Sequence, residues 1–200
     1  MYELLRRQIL GVDGDVPATF GRTAGPIAWA PACGSDADPK HGKLSVHGGS
    51  MGLPASASGS CLCGAVRFTA NLPSLFCAHC HCSMCRRHHG AGYVTWFAVP
   101  RAALVVESGA DHLARYDSSV HGSRSFCRRC GSSLFCESAH YPDRIDVALG
   151  AMLDPIDREP GLHVYFDSRA SWICVGDELP RLGGKTGMEP LPKTEREENR

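Results

Sequence analysis

Two hundred residues with 43% hydrophobic content suffice for one domain with a core, with or without tails. A formal charge of zero and a pI near 7.1 exclude a global field that would recruit nucleic acid or an anionic membrane, and neither is expected as a partner. No stretch of the sequence approaches the roughly 18 apolar residues of a membrane span.

Residues 1–57 are rich in Gly, Pro, Ala and Ser and lack sustained periodicity, so they are expected to form a disordered extension. The opening Met1-Tyr2-Glu3-Leu4-Leu5-Arg6-Arg7 leads into no secretory apolar core, and a cytoplasmic, reducing location is expected. Residues 64–70 then alternate, with Val66 and Phe68 on one face and Arg67 and Thr69 on the other, as in a half-buried strand. A strand-like run over 75–78 meets a possible helical turn over 83–89. Further short strands are predicted over 93–99, 104–107, 112–116, 123–126, 134–137, 144–149 and 163–166, with a second helical turn over 151–158. The chain from 183 to 200 is again loose and is expected to be a disordered tail, which leaves a domain over 58–182. Many short strands and little helix predict a mainly β, sandwich-like or folded-over sheet.

Seven of the eleven cysteines fall in three tight clusters: Cys61-Leu62-Cys63, Cys80-His81-Cys82-Ser83-Met84-Cys85 and Cys127-Arg128-Arg129-Cys130. Pairs at this spacing aim two thiolates at one tetrahedral ion, and clusters one and three make the best closed four-sulfur zinc site. Each ends in a glycine, Gly64 or Gly131, able to take the positive φ of a knuckle. A disulfide framework fits poorly, because the cysteine number is odd and the expected compartment is reducing. Cys80, Cys82 and Cys85 leave one zinc position free for water, histidine or an incoming thiol, which marks a catalytic rather than a structural ion. Two Zn2+ per chain are expected. His81 should face solvent, His88 and His89 stand between substrate contact and surface, and Arg128 and Arg129 read as a solvated turn. Cys77, Cys136 and Cys174 read as buried inert thiols.

Gly59-Ser60-Cys61-Leu62-Cys63-Gly64-Ala65-Val66-Arg67-Phe68, the Cys80–Cys85 run with Arg86, and Phe126-Cys127-Arg128-Arg129-Cys130-Gly131-Ser132 together resemble the glutathione-dependent formaldehyde-activating enzyme / centromere protein V domain family. His163-Val164-Tyr165-Phe166-Asp167-Ser168-Arg169-Ala170-Ser171-Trp172 resembles that family's C-terminal signature, with Ser171 where proline is usual. The resemblance implies a β-tent fold of short antiparallel strands. It also implies a structural zinc on Cys61, Cys63, Cys127 and Cys130 and a catalytic zinc on Cys80, Cys82 and Cys85. It implies, further, a carbon–sulfur lyase that joins glutathione and formaldehyde as S-hydroxymethylglutathione. After Cys85 the glutathione-specific members carry a Trp-Lys-Pro-like run; this chain has Arg86-Arg87-His88-His89-Gly90, so the thiol stays open. The substrates expected are a small-molecule thiol and an aldehyde, with Arg86, Arg87 and Arg124 as candidate contacts for an anionic thiol. A noncatalytic zinc module that binds a protein partner is the competing reading.

Overall fold

A computed structural model of the chain describes residues 53–192. The extension expected over 1–57 therefore lies outside the described residues as far as position 52, as do positions 193–200 of the expected tail. Two antiparallel sheets make the body of the described chain. The smaller has the order β1-β2-β5, from Ser56–Ser60, Arg67–Asn71 and Leu104–Ser108. The larger has the order β10-β3-β4-β9-β8-β7-β6. Its strands are β3 (Phe76–Cys80), β4 (Val94–Pro100), β6 (Leu113–Ser119), β7 (Gly122–Cys127), β8 (Ser133–Ser138), β9 (Arg144–Ala148) and β10 (His163–Val164), the last parallel to β3. Among the described residues one helix, α1 (Ser83–His89), follows β3.

Alternation decides which side chain meets which layer. Val66, just before β2, and Phe68 and Ala70 within it are buried with Phe97, Val99, Phe135, Ile145 and Val147 of the larger sheet, and this is the main core. Phe68 and Phe135 meet edge to face with ring centroids 4.9 Å apart, the arrangement favoured by the ring quadrupoles. β4 is buried on both faces: Phe97 and Val99 enter the main core, whereas Val94 and Trp96 point the other way into a second cluster with Cys80, Cys85 and Ala148. A fully buried strand of this kind reads as a continuous apolar run rather than an alternating one.

Several expectations are corrected. Ser56–Ser60 is a strand, although the extension was expected to run to 57; its small residues pair with β2, Gly59 opposite Phe68. The helical turn expected over 151–158 is absent among the described residues, where a single 3-10 turn spans Leu149–Ala151. The strand expected over 163–166 stops at Val164, because Tyr165 turns into the left-handed region (φ 53°) and a 3-10 turn follows over Phe166–Ser168. At the start of the tail expected over 183–200, Leu182–Gly183 (β11) pairs with Glu189–Pro190 (β12). No helix among the described residues is long and apolar enough to cross a membrane.

Candidate metal centres and reactive site

The first centre is assembled from two turns. Cys61-Leu62-Cys63-Gly64 links β1 to β2, and Cys127 to Gly131 links β7 to β8. Gly64 (φ 72°) and Gly131 (φ 76°) each donate their N–H to the carbonyl three or four residues back, Cys61 and Cys127, in a backbone region where a Cβ would be strained. Ser132 Oγ accepts from the Leu62 N–H at 3.0 Å and so ties one knuckle to the other. The four sulfurs lie within 4.8 Å of one another, with Cys61–Cys63 at 3.6 Å and Cys63–Cys127 at 3.9 Å. Four sulfurs at about 2.3 Å from a tetrahedral ion sit about 3.8 Å apart, so this spacing fits a zinc-sized ion. The Val66 N–H donates to Cys61 Sγ at 3.2 Å, and the side chain and backbone of Ser132 hold the Cys130 thiol down at about 5; both effects favour thiolates. Arg128 and Arg129 are exposed, as expected of a solvated turn.

The second centre lies on the opposite face of the larger sheet from the main core. Cys80 ends β3, Cys82 is the N-cap of α1, and Cys85 is the buried residue of that helix. Cys82 Sγ accepts from the Cys85 N–H at 3.3 Å, a cap that fixes two of the three ligands relative to each other. Gly90 closes the helix in the left-handed conformation (φ 60°). The three sulfurs lie within 4.8 Å of one another. Contacts with the Cys80 and Cys85 thiols hold the Cys82 thiol far below its ordinary range, with help from the nearby Arg124 charge, while the same crowding pushes Cys80 up. Three sulfurs with one ionising readily, and no fourth protein sulfur in the group, suit an ion with an open position.

A row of polar residues crosses the sheet beneath this centre. Asp146 of β9 pairs with Cys136 of β8, which pairs with Arg124 of β7, so the three lie side by side on one face. Arg124 is 4% exposed and donates Nη2 to Cys85 Sγ at 3.6 Å. Burial pushes the Cys136 thiol up to about 12 and the Asp146 carboxyl up to about 6, the latter against the pull of Arg144.

Of the three arginines expected at the substrate, the structure brings Arg124 to the trio. Arg86 instead donates to the carbonyls of His81 (3.2 Å) and Ser168 (3.1 Å), tying α1 to the C-terminal segment. Arg87 is exposed and donates to the Ser83 carbonyl within its own helix. His81 is fully buried, contrary to the expected exposure. Strand alternation sends it away from the sulfurs, as expected, but onto a face covered by Tyr93, His163 and Phe166. There His81 Nε2 meets His163 Nδ1 at 2.8 Å, and His163 Nε2 meets the Asp177 carboxylate at 3.0 Å. Burial holds His81 near 4, so its ring is neutral. The Asp177 carboxylate accepts from His163 Nε2–H, and the His81 and His163 rings share the hydrogen bond between Nε2 and Nδ1. No role for His163 or Asp177 was expected from the motifs; a histidine opening a short strand was the available signal. Cys77 is buried as expected, Cys136 is half-buried, and Cys174 is exposed rather than buried.

Helix α1 ends in His88 and His89, with the His89 ring edge-on to Trp96 at 5.1 Å. A cleft of about 750 Å3 runs from Cys61 and Ser132 of the first centre past Arg67 and Tyr93 to His89. Fold and centres together define a β-sheet protein with two cysteine groups, one closed and one open, each able to hold a metal ion.

The sequence pattern of the family described as "Glutathione-dependent formaldehyde-activating enzyme" matches residues 56–168, and the chain belongs to that family. A Halomonas elongata protein named "Putative glutathione-dependent formaldehyde-activating enzyme" is 30% identical over 124 residues, 58% of this chain and 79% of that one. An "Uncharacterized lyase" of Schizosaccharomyces pombe is 30% identical over 79 residues, 38% of this chain; the chain spans about half of that relative, 54%. A crystal structure of a Rhodobacter sphaeroides protein aligns with a TM-score of 0.42 and 26% identity over 49% of this chain and 89% of that one.

Proposed function

We propose that the protein is a zinc-dependent lyase-type enzyme that makes and cleaves the carbon–sulfur adduct of a small thiol and an aldehyde, in the manner of S-hydroxymethylglutathione synthesis. The observation that carries this reading is the three-sulfur group of Cys80, Cys82 and Cys85, one sulfur short of a closed four-sulfur set and faced by the buried Arg124. Cys61, Cys63, Cys127 and Cys130 would hold a structural ion that staples the β1–β2 and β7–β8 turns. An ion held by the trio would lower the pKa of a thiol entering its open position and keep it as thiolate. The chain's own residues do the rest. The buried surroundings of Trp96, Val94 and Ala148 exclude water from the trio. Arg124 offsets the negative charge of three thiolates, and the Cys82 cap holds the sulfurs in place before any substrate arrives. In the adduct reaction the thiol sulfur bonds to the carbonyl carbon, the π pair moves to oxygen, and the proton lost from sulfur ends on that oxygen. Cleavage is the reverse.

Purified protein carrying two zinc ions, assayed by NMR with formaldehyde against glutathione and smaller thiols, is expected to speed adduct exchange. Cys82→Ser should abolish that exchange while the fold survives. If metal-replete protein accelerates no thiol–aldehyde pair, the enzyme reading falls and a noncatalytic zinc module takes its place.

A further inference from the structure

Arg124 is the most deeply buried arginine among the described residues, and most of its hydrogen-bonding capacity is unused. Nη2 donates to Cys85 Sγ, whereas Nε and Nη1 are buried with no partner. A guanidinium cannot shed its charge, and each donor left unmade in a dry site costs about 1–3 kcal/mol. Two further orphans lie on the adjoining end of α1: His88 Nε2 and His89 Nε2 are also buried without partners. Buried unsatisfied polar atoms are few in native folds and call for an explanation where they gather. They gather here beside the open trio.

The position of the free donors selects what they bind. Nη1 springs from the same carbon as the Nη2 that touches Cys85 Sγ, so an atom bound to Nη1 lies in the immediate surroundings of that sulfur. A remote carboxylate of a peptide-like thiol does not belong there; the reacting carbonyl does. We propose that Arg124 is a catalytic residue of the adduct reaction, an inference that rests on the function proposed above. The Nη1–H of Arg124 receives the aldehyde oxygen and stabilises the negative charge that this oxygen takes up. As the carbon–sulfur bond forms, the carbonyl π pair moves onto the oxygen facing Arg124, and the proton released by the thiol completes the hydroxyl. In the cleavage direction the hydroxyl proton leaves, the carbon–oxygen double bond re-forms and the carbon–sulfur pair returns to sulfur. No oxidant or reductant enters.

The test compares wild type with Arg124→Met and Arg124→Lys, each loaded with cobalt, so that thiol affinity is read from the visible spectrum independently of turnover. Loss of an oxyanion donor is expected to lower kcat roughly 10²–10³-fold in Arg124→Met. Thiol affinity should stay within about threefold, since the interaction belongs to the transition state. Arg124→Lys, which keeps a donor and the charge, is expected to retain more turnover than Arg124→Met. A kcat within about threefold of wild type in Arg124→Met overturns the inference. So does weakened thiol affinity with kcat preserved, the mark of a carboxylate anchor. If the variants fail to fold or to hold cobalt, wild-type protein decides with formate as probe. Competition by formate against the aldehyde supports the inference, whereas competition against the thiol alone, or none, overturns it. Absence of turnover in wild type would instead remove the function on which it rests.

Discussion

Cys61 and Cys82 carry the same atom into different surroundings, and the consequences of removing it differ. Cys61 is 4% exposed in the main core and belongs to a group that joins two distant turns. A structural zinc contributes on the order of 10 kcal/mol to a fold of this kind, so Cys61→Ser or Cys130→Ser is expected to leave little folded protein. Cys82 sits at the start of a seven-residue helix on the far face of the sheet, and Cys82→Ser should keep the fold and lose one of two metals. Thermal unfolding together with metal analysis checks both. Asp146 makes a separate residue-scale test. Its carboxyl is raised to about 6 mainly by burial, so between its ordinary value and 6 the folded chain binds the proton more tightly than the unfolded one. The resulting stability is present at low pH and lost as pH rises through 6. Asp146→Asn is therefore expected to raise Tm by about 2–6 °C at pH 7.5 and by less at pH 5, as read by calorimetry. An equal effect at both pH values would contradict the burial argument. The cysteine groups were legible because metal geometry imposes a spacing on the sequence. Arg124 was legible only as an arginine near Cys127, because what brings it to Cys85 is strand pairing between distant segments.

Strand β1 shows why an element escapes its sequence. Ser56–Ser60 reads Ser-Ala-Ser-Gly-Ser, without the β-branched or aromatic residues that favour strands, and it forms by pairing with β2. Its glycine serves packing: a Cβ at Gly59 would lie 2.2 Å from the Phe68 ring, which is 1% exposed and locked against Phe135. Gly59→Ala is expected to cost about 1–3 kcal/mol by overpacking, and Phe68→Leu in the same chain should recover part of it. Denaturant unfolding of the single and double variants measures the coupling; strictly additive losses would contradict the contact. By contrast, α1 was legible over its full length, since Cys82 to Gly90 contains its own start and stop signals. The short β10 was overextended because Tyr165 takes a positive φ that few non-glycine residues adopt, and nothing local announces it.

Across the whole molecule the larger sheet divides two tasks between its faces. One face, with Phe97, Val99 and Val147, supplies the main core; the other, with Cys80, Trp96 and Arg124, supports the open centre. The C-terminal segment is held to the sheet by β10, by Arg86 and by the His81–His163–Asp177 chain. Asp177→Ala strands the buried His163 Nε2–H and is expected to cost about 1–3 kcal/mol. Hydrogen exchange should show faster opening around residues 162–183, whereas unchanged protection would contradict the clamp. The mainly β class was legible from short alternating runs, but the order of the seven strands was not, because register depends on long-range pairing.

The central claim, a closed centre that holds the fold and an open one that takes a thiol, is tested most directly by the visible spectrum of the cobalt-substituted protein during thiol titration. The expected result is two cobalt ions per chain, with a saturable change in the bands of one and none in the other. That change should be lost in Cys82→Ser. A spectrum that no thiol perturbs, with both ions bound, would contradict the claim.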